Sequence, residues 1–339
     1  MKRVVISEEY RESEIHPKDL LDEYLDITKN EIEGCLDTWK LLDVSCPACN
    51  SNQKNKSFEK FGMNYYECQE CKTLFVNPRP SEKDISNFYK KSKAIEFFNN
   101  RLYKETLYGR KKMIFNPRAE WIVSVTENYF QKPETYIDIR TKYVELIEEI
   151  DNLNKFENKV VIDPVVEMDS YGINKSNTTI LRKSYEEISS KDLTANAISA
   201  FEVLDRISSP GSFMNKIRDM LTQNGMLFLT IPTISGFDLR VLWGNSKSIY
   251  PLDHINLFST EGIEKLLNNS GFEIIEMSSP GLLDLKIVKN MMQENPNLEI
   301  SKFISYLIEN RDESAHQAFQ DFLQRFNLSS HLRIAAQKI

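Results

Sequence analysis

The chain has 339 residues, of which 41% are hydrophobic and 27% are charged, a composition typical of a soluble globular protein with two or three domains. Its formal net charge of −7 and its pI of about 5.4 argue against nucleic acid or an anionic membrane as a partner, because both require a basic face. No run approaches the roughly 18 apolar residues that span a bilayer, and the N-terminus lacks the apolar core of a signal peptide. We therefore expect a cytoplasmic protein without a membrane span.

Residues 1–44 predict an N-terminal helical extension. The segment from Ile6 to Trp39 is acidic and carries apolar residues at helical spacing, among them Leu20, Tyr24 and Leu25. We expect this apolar face to pack on the rest of the chain. Binding of a partner protein through this helix is the alternative.

Four cysteines stand in two pairs within residues 45–80. Cys46 and Cys49 form the first CxxC pair, Cys68 and Cys71 form the second, and the polar segment between the pairs suits a short hairpin. This spacing is typical of four-thiolate zinc sites, which are closed and therefore structural. The pattern predicts a zinc ribbon that holds a structural Zn²⁺ ion rather than a disulfide framework.

A helical linker is predicted at residues 81–132. Pro80 and Ser81 mark the start of a helical stretch that continues to about Phe130 and is rich in aromatic residues. We expect this stretch to join the ribbon to the main domain.

From residue 133 to residue 339, strand and helix patterns alternate. Apolar strands are predicted at 136–139, 160–162 and 226–231, with amphipathic helices between them. Such alternation implies a mostly parallel sheet with helices on both faces. A helical insertion is predicted at about 284–328, before a last strand.

The stretch from Tyr136 to Ile150 reads as a buried strand, a three-residue turn and an amphipathic helix. In open α/β sheets the ligand lies at the carboxyl end of such a strand, against the turn and the helix N-terminus. A turn of this kind is normally rich in glycine. Here it consists of Arg140, Thr141 and Lys142.

The order of these pieces resembles that of class I S-adenosylmethionine-dependent methyltransferases. The segment FEVLDRISSP at 201–210 is similar to the end of the family's fourth strand, where leucine, an acid, a histidine and a proline follow each other, although Arg206 replaces the histidine. LTQNGMLFLTIP at 221–232 and SGF at 270–272 resemble the family's later elements. The segment from Cys68 to Pro80 resembles the end of the zinc ribbon of bacterial methyltransferases, many of which act on nucleotide-linked or surface sugars.

The resemblance implies an α/β fold of the Rossmann-like methyltransferase type. Its sheet would be mostly parallel and seven-stranded, with the last strand antiparallel, and it would lie in a methyltransferase-like domain at 133–339. The zinc ribbon precedes this sheet and the helical segments are additions to it.

Cofactor-binding residues also follow from the resemblance. Asp163 lies 25 residues after Asp138 and matches the acid that accepts two hydrogen bonds from the adenosine ribose. An aspartate that caps the turn before Pro164 is the alternative. Asp138 keeps the acid of the first strand, and Phe201 and Glu202 lie where the floor of the cofactor cleft is expected.

Arg140 lies in the altered turn, so its predicted contact with the cofactor depends on the conformation of that turn. Each side chain of the turn carries a Cβ, which disfavours a positive φ and crowds the space of the cofactor. Arg140 and Lys142 also place two cations at a helix N-terminus, where a diphosphate or carboxylate is stabilised. The alternative is that both side chains are solvated and fill an abandoned pocket.

Asp253 and His254 are the candidate catalytic residues. In the zinc-ribbon sugar C-methyltransferases that this sequence resembles, a loop before the sixth helix offers an acid–histidine pair and a nearby tyrosine. His254 and Asp253 match the pair, and Tyr250 is close to the tyrosine but not at its offset. An imidazole can remove a proton from a sugar hydroxyl or from carbon next to a carbonyl. A histidine that only holds the loop in place is the alternative.

The sequence thus predicts an S-adenosylmethionine-dependent methyltransferase that transfers a methyl group to oxygen or carbon of a sugar or nucleotide sugar in surface-carbohydrate biosynthesis. The alternative is a catalytically inactive methyltransferase fold that serves as a binding or scaffolding subunit. The missing glycines favour the inactive protein, whereas Asp163 and the Asp253–His254 pair favour the enzyme.

Overall fold

The computed structural model describes residues 14–15, 17–139, 144–164 and 177–339. The predicted turn at Arg140 to Lys142 and a short helical turn predicted at Glu167 to Tyr171 lie outside the described residues. The predicted role of Arg140 therefore stays a prediction.

The N-terminal part of the chain forms one helix and a small antiparallel sheet. Its elements are α1 (Lys18–Cys35), β1 (Leu41–Leu42), β2 (Lys54–Lys60), β3 (Met63–Cys68), β4 (Leu74–Val76) and β5 (Arg79–Pro80). Strands β2, β3 and β4 are antiparallel neighbours, and β1 pairs with β5. Phe61 and Gly62 form the two-residue loop between β2 and β3, and both have positive φ angles, of 50° and 74°. Such a loop matches the right-handed twist of the two strands.

A nearly continuous helical stretch follows, as the sequence predicts. It consists of α2 (Glu82–Lys91), α3 (Lys93–Phe97), α4 (Tyr103–Arg110) and α5 (Asn116–Glu127), and π-helical turns join α3 to α4 and α4 to α5. Ser81 caps α2 by accepting a hydrogen bond from the backbone N–H of Asp84. Ser92 caps α3 in the same way, so that each helix begins where a side-chain oxygen satisfies a free backbone donor.

The remaining elements build a large mixed sheet, the helices around it and one further strand, β11, which joins the N-terminal sheet. The strands are β6 (Thr135–Ile139), β7 (Asn158–Ile162), β8 (Thr178–Leu181), β9 (Ala195–Phe201), β10 (Leu221–Pro232), β11 (Asn256–Leu257), β12 (Phe272–Ser278) and β13 (His331–Lys338). The helices are α6 (Glu145–Leu153), α7 (Pro210–Met220), α8 (Phe237–Leu242), α9 (Thr260–Asn269), α10 (Asp284–Glu294), α11 (Lys302–Asn310) and α12 (Glu313–Arg325).

The large sheet has seven strands in the order β12-β13-β10-β9-β6-β7-β8. Strands β10, β9, β6, β7 and β8 are parallel, and β13 is antiparallel to both of its neighbours. This arrangement confirms the predicted Rossmann-like methyltransferase fold. The helices α10, α11 and α12 come between the two edge-side strands β12 and β13.

Alternation along the strands gives the sheet a buried core on each face. Ile137 and Ile139 pack in one core together with residues of α7 and α9, while Tyr136 packs in the other together with residues of α5 and α6. Burying a large apolar side chain stabilises a fold by about 1.5–3 kcal/mol. Because both faces of the parallel strands are covered, the open positions for polar chemistry are at the strand ends.

The ribbon sheet and the large domain share a strand. The four-stranded sheet has the order β11-β4-β3-β2, and β11 comes from the segment that follows β10. Asn256 of β11 pairs with Phe75, and Leu257 pairs with Leu74. None of the described helices has the length and apolar character of a membrane-spanning helix.

Candidate active site and metal site

The sulfur atoms of the four predicted zinc ligands lie within 4.8 Å of one another. The Sγ atoms of Cys46 and Cys71 are 3.5 Å apart, and those of Cys49 and Cys68 are 3.6 Å apart. A disulfide would bring two sulfurs to about 2.05 Å. Tetrahedral zinc with bonds of about 2.3 Å places them about 3.8 Å apart. The four thiols therefore fit a Zn²⁺ ion.

Two tight turns bring the thiols together. The backbone N–H of Asn50 donates to the carbonyl of Cys46, and that of Lys72 donates to the carbonyl of Cys68. Asn50 and Lys72 have positive φ angles of 61° and 62°. The chain thus reverses at each CxxC pair, and the residue after the second cysteine adopts the left-handed conformation. Asparagine adopts this conformation more readily than most residues.

Asp163 follows directly on the last residue of β7, beside the carboxyl end of β6. Ile139 and Ile162 are partners in the parallel register of the two strands. Asp163 is buried, and its backbone N–H donates to the carbonyl of Leu181. The predicted ribose acid therefore lies at the carboxyl edge of the sheet.

Asp138 lies within β6 and is fully buried. Ser199 of β9 donates a hydrogen bond of 2.6 Å to its Oδ1 atom, and the hydroxyl of Tyr136 is 2.6 Å from the same Ser199 oxygen. These contacts connect β6 to β9. The carboxylate of Asp138 thus helps to hold two central strands together.

Glu202 stands at the carboxyl end of β9 in a left-handed conformation, with a φ angle of 53°. Its Oε1 atom accepts hydrogen bonds from Arg118 at 3.0 Å and from Thr230 at 2.8 Å, and it lies 3.0 Å from Nε2 of His331. Although burial raises the pKa of Glu202, the charges and hydrogen bonds of these neighbours, His331 foremost, hold it well below its usual range. Several contacts together hold a backbone conformation that costs about 1–3 kcal/mol.

Phe201 is half-buried beside this ion pair. The guanidinium carbon of Arg118 lies 4.8 Å from the centre of the Phe201 ring, and Trp121 stacks at 6.4 Å on the same ring. A cation above an aromatic face is stabilised by the ring quadrupole. The predicted floor of the cleft therefore carries a cation and a carboxylate next to an aromatic surface.

Asp253 is buried and surrounded by donors from three distant segments. The hydroxyl of Tyr24, on α1, donates to its Oδ2 atom at 2.7 Å, and that of Tyr89, on α2, lies 3.2 Å from its Oδ1 atom. The Nη1 atom of Arg206 lies 3.4 Å from the same Oδ1 atom. A buried carboxylate requires such partners to offset the loss of hydration.

His254 lies next to this carboxylate and faces a second one. Its Nε2 atom is 4.0 Å from Oδ2 of Asp205, and its ring packs edge-on against Tyr250 with 4.7 Å between the ring centres. Tyr65, a residue of β3, donates a hydrogen bond of 2.9 Å to the backbone carbonyl of His254. Burial lowers the pKa of His254 to about 4, against the charge of Asp253, so the ring is neutral at physiological pH.

Asp205 behaves in the opposite way. Burial raises its pKa to about 7, helped by the negative charges of Glu202 and Asp253 and opposed by Arg206. Within the described part of the chain, neither carboxyl oxygen of Asp205 has a hydrogen-bond partner, and the same holds for Nδ1 of His254. Nε of Arg206 forms an ion pair with Oδ2 of Asp205 at 3.5 Å, so the two atoms left without a polar partner in the described ranges are Oδ1 of Asp205 and Nδ1 of His254.

The structure thus brings Asp253, His254 and Tyr250 together, next to the strand end that carries Glu202. Sequence reasoning missed several members of this cluster, namely Tyr24, Tyr65, Tyr89, Arg118, Asp205 and His331. Only Asp205 had a signal, because it is the acid of the FEVLDRISSP segment. The others are separated from their partners by more than 80 residues, and no local pattern links them.

Residues 121–277 match a family model described as a methyltransferase domain. The matched segment is similar to a methyltransferase domain and makes up just under half of the chain. It contains β6 to β12 and therefore the carboxyl edge that carries Asp163, Glu202 and the Asp253–His254 pair. No curated protein matches the sequence.

Solved structures with a similar fold include further methyltransferases. The plantazolicin methyltransferase BpumL in complex with SAH is 11% identical, with a TM-score of 0.48 over 75% of this chain and 93% of that chain. A putative sarcosine dimethylglycine methyltransferase from Galdieria sulphuraria is 12% identical, with a TM-score of 0.44 over 70% of this chain and 88% of that chain. The N-methyltransferase NodS from Bradyrhizobium japonicum WM9 is 9% identical, with a TM-score of 0.38 over 66% of this chain and 94% of that chain.

Proposed function

We propose that the protein transfers a methyl group from S-adenosylmethionine to an oxygen or carbon atom of a sugar or nucleotide sugar, as a step in surface-carbohydrate biosynthesis. The observation that carries this proposal is the cluster of Asp205, Asp253 and His254 inside the methyltransferase domain, next to the strand end at which Glu202 lies. His254 is a neutral imidazole beside two acidic side chains, and its free ring nitrogen can accept a proton during the reaction.

The described residues fit S-adenosylmethionine, whose sulfonium group supplies an electrophilic methyl when bound. The carboxylate of Asp163, which directly follows β7, would accept hydrogen bonds from the two ribose hydroxyls. The methionine end of the cofactor is a zwitterion, and the Glu202–Arg118 ion pair at the end of β9 offers a carboxylate for its ammonium and a guanidinium for its carboxylate. Arg140, outside the described residues, is the further predicted contact.

His254 would take the proton from the acceptor. Since its pKa is lowered to about 4, the ring enters the reaction as the free base. A proton that arrives on the ring creates an imidazolium 4.0 Å from Asp205, and the ionised form of Asp205 stabilises that charge. Asp253, held by Tyr24 and Tyr89, keeps the loop of His254 in position.

The orphaned polar atoms favour an acceptor rich in hydroxyl groups. Oδ1 of Asp205 and Nδ1 of His254 lack hydrogen-bond partners among the described residues, whereas Oδ2 of Asp205 is ion-paired with Arg206 at 3.5 Å. Leaving such groups unpaired costs about 1–3 kcal/mol each. Hydroxyl donors of a sugar would satisfy them, whereas an apolar acceptor would not.

The test is a transfer assay with the zinc-loaded protein, S-adenosylmethionine and a panel of nucleotide-linked deoxy and keto sugars, with product mass as the readout. We expect one acceptor to gain a methyl group, and we expect His254→Gln to lower kcat about 100-fold, within the range of general base catalysis. His316→Gln, on α12, is the matched control. A protein that binds S-adenosylmethionine but methylates only non-sugar acceptors would overturn the sugar assignment, and a protein that binds none of it would be a scaffold.

A further inference from the structure

We propose that Asn256 and Arg79 are positioning residues that couple the geometry of the zinc ribbon to the Asp205–Asp253–His254 cluster. This inference rests on the proposed function, because the cluster is the candidate reaction centre. Both residues lie outside the cluster, and their role is to fix the two backbone segments that carry it.

Asn256 uses both its backbone and its side chain to hold the first segment. Its backbone N–H donates to the carbonyl of Asp205 at 3.0 Å. Its Nδ2 atom donates to the carbonyls of Leu204 at 2.9 Å and Ile207 at 2.8 Å. The residue is fully buried, so water does not replace these bonds. Asn256 thereby fixes the turn that presents Asp205.

Arg79 satisfies the remaining hydrogen-bonding atom of the Asn256 side-chain amide, its oxygen. Its Nη1 atom donates to Oδ1 of Asn256 at 3.1 Å, and its side chain is buried. The opposite amide orientation would face an N–H group toward the guanidinium and an oxygen toward two carbonyls, so the network admits one orientation of Asn256. Arg79 therefore selects the orientation that clamps the Asp205 turn.

The second segment carries Asp253 and His254 and directly precedes Asn256 in the sequence. Strands of the ribbon hold it in place. Tyr65 of β3 binds the carbonyl of His254, and the backbone N–H of Val76 donates to the carbonyl of Ile255 at 2.9 Å. The two acceptor residues, His254 and Ile255, are consecutive in the sequence. The ribbon strands therefore set the position of the His254 backbone directly.

The metal site lies at the other end of these contacts. Strand β4 begins three residues after Cys71, and Ser259 donates to the carbonyl of Cys71 through its hydroxyl. Burial lowers the pKa of Arg79 to about 10, and the charge of Cys46 opposes this shift. Four thiolates around one Zn²⁺ keep a net negative charge, which helps to offset the cost of burying a guanidinium. Loss of the metal would change the charge of the four cysteine sulfurs near Arg79. It would also disturb strand β4, with which β11 pairs.

The variant Asn256→Asp tests the coupling, since it keeps an oxygen for Arg79 and loses the two N–H donors to Leu204 and Ile207. Asn55→Asp, at an exposed amide of β2, is the matched control. Zinc content and melting temperature show that each variant is folded and loaded. The decisive readout is an NMR titration of the His254 ring, assigned with His254→Gln.

In the wild type we expect the His254 ring to titrate with a pKa of about 4 and to be neutral above that pH. In Asn256→Asp we expect this pKa to move by at least one unit while the affinity for S-adenosylmethionine stays within about twofold of wild type. In the transfer assay kcat should fall at least tenfold with an unchanged KM for the cofactor. Arg79→Lys, which keeps the charge, should give a smaller effect than Arg79→Met.

Removal of zinc from the wild-type protein with a chelator provides a second test that needs no variant to fold. It should shift the His254 titration in the same direction as Asn256→Asp. A wild-type titration in both Asn256→Asp and the zinc-free protein would overturn the coupling. Because the NMR readout requires no turnover, a failure of the methyl-transfer proposal would be seen in the transfer assay alone and is distinguishable from a failure of the coupling.

Discussion

The two sides of the candidate cleft are built in different ways. On the proposed cofactor side, Asp138 and Asp163 lie at or next to the ends of neighbouring parallel strands, and the order of the chain alone puts them there. On the acceptor side, Asp253 and His254 are held by residues of α1, α2 and β3. Asp138 and Asp163 are therefore positioned by the sheet, although Arg118 of the proposed cofactor side comes from α5, whereas the proposed acceptor side depends mainly on the N-terminal additions.

The difference suggests how the protein can be altered. A change in the ribbon or in α1 should affect the acceptor cluster and leave cofactor binding in place, and a change at the end of β7 should do the reverse. The following predictions test this separation.

Removal of a zinc ligand should have the largest effect. Structural zinc sites contribute about 10–16 kcal/mol of apparent binding free energy, so Cys71→Ser should lose the metal and much of the stability of the ribbon. Zinc content and thermal unfolding measure this loss. Cys35→Ser, at a cysteine outside the four-sulfur cluster, should keep zinc and stability unchanged. Full zinc occupancy and wild-type melting in Cys71→Ser would contradict the site.

Asp205→Asn should change the pH dependence of stability. The pKa of Asp205 is raised in the folded protein to about 7, against about 3.9 when unfolded, so the unfolded state releases its proton first. The stabilisation is present below pH 4 and is lost as the pH rises to about 7. The substitution should therefore stabilise the protein more at pH 8 than at pH 5, by about 1–3 kcal/mol. Denaturant unfolding at the two pH values measures the difference, and equal effects at both would refute a protonated Asp205.

Tyr24→Phe should have the smallest effect of the three. It removes one of the donors to the buried carboxylate of Asp253, while Tyr89 and Arg206 remain, so the free energy of unfolding should fall by about 1–2 kcal/mol. The affinity for S-adenosylmethionine should not change. Tyr108→Phe, at an exposed ring of α4, is the control and should be neutral. A tenfold loss of cofactor affinity in Tyr24→Phe would contradict the separation of the two sides.

Much of the fold follows from local sequence patterns. The apolar runs of β6, β7, β9 and β10 predict the parallel sheet, and the two CxxC pairs predict the four-sulfur cluster. Asn224 and Gly225 are residue types typical of a turn, and Asn224 has a positive φ inside β10, where the pairing with β9 is interrupted between Leu221 and Met226. Periodicity and turn chemistry act over a few residues, which is why they can be read from the chain.

The acceptor side could be predicted only in part. The adjacency of Asp253 and His254 is written in the sequence, but Tyr24 lies 229 positions before Asp253, and a tyrosine hydroxyl gives no sign of its partner. Nε2 of His331 lies 3.0 Å from Oε1 of Glu202 because β13 returns antiparallel to β10. Such contacts depend on tertiary packing, which single-residue patterns do not encode.

The most direct test of the account is calorimetric titration of the zinc-loaded protein with S-adenosylmethionine and S-adenosylhomocysteine. We expect micromolar binding in the wild type, a loss of at least tenfold in Asp163→Ala, since a charged hydrogen bond contributes about 1.5–3 kcal/mol, and wild-type affinity in the control Asp219→Ala. Absence of heat and of a thermal shift at millimolar ligand would contradict the enzyme and leave the fold as a binding or scaffolding subunit.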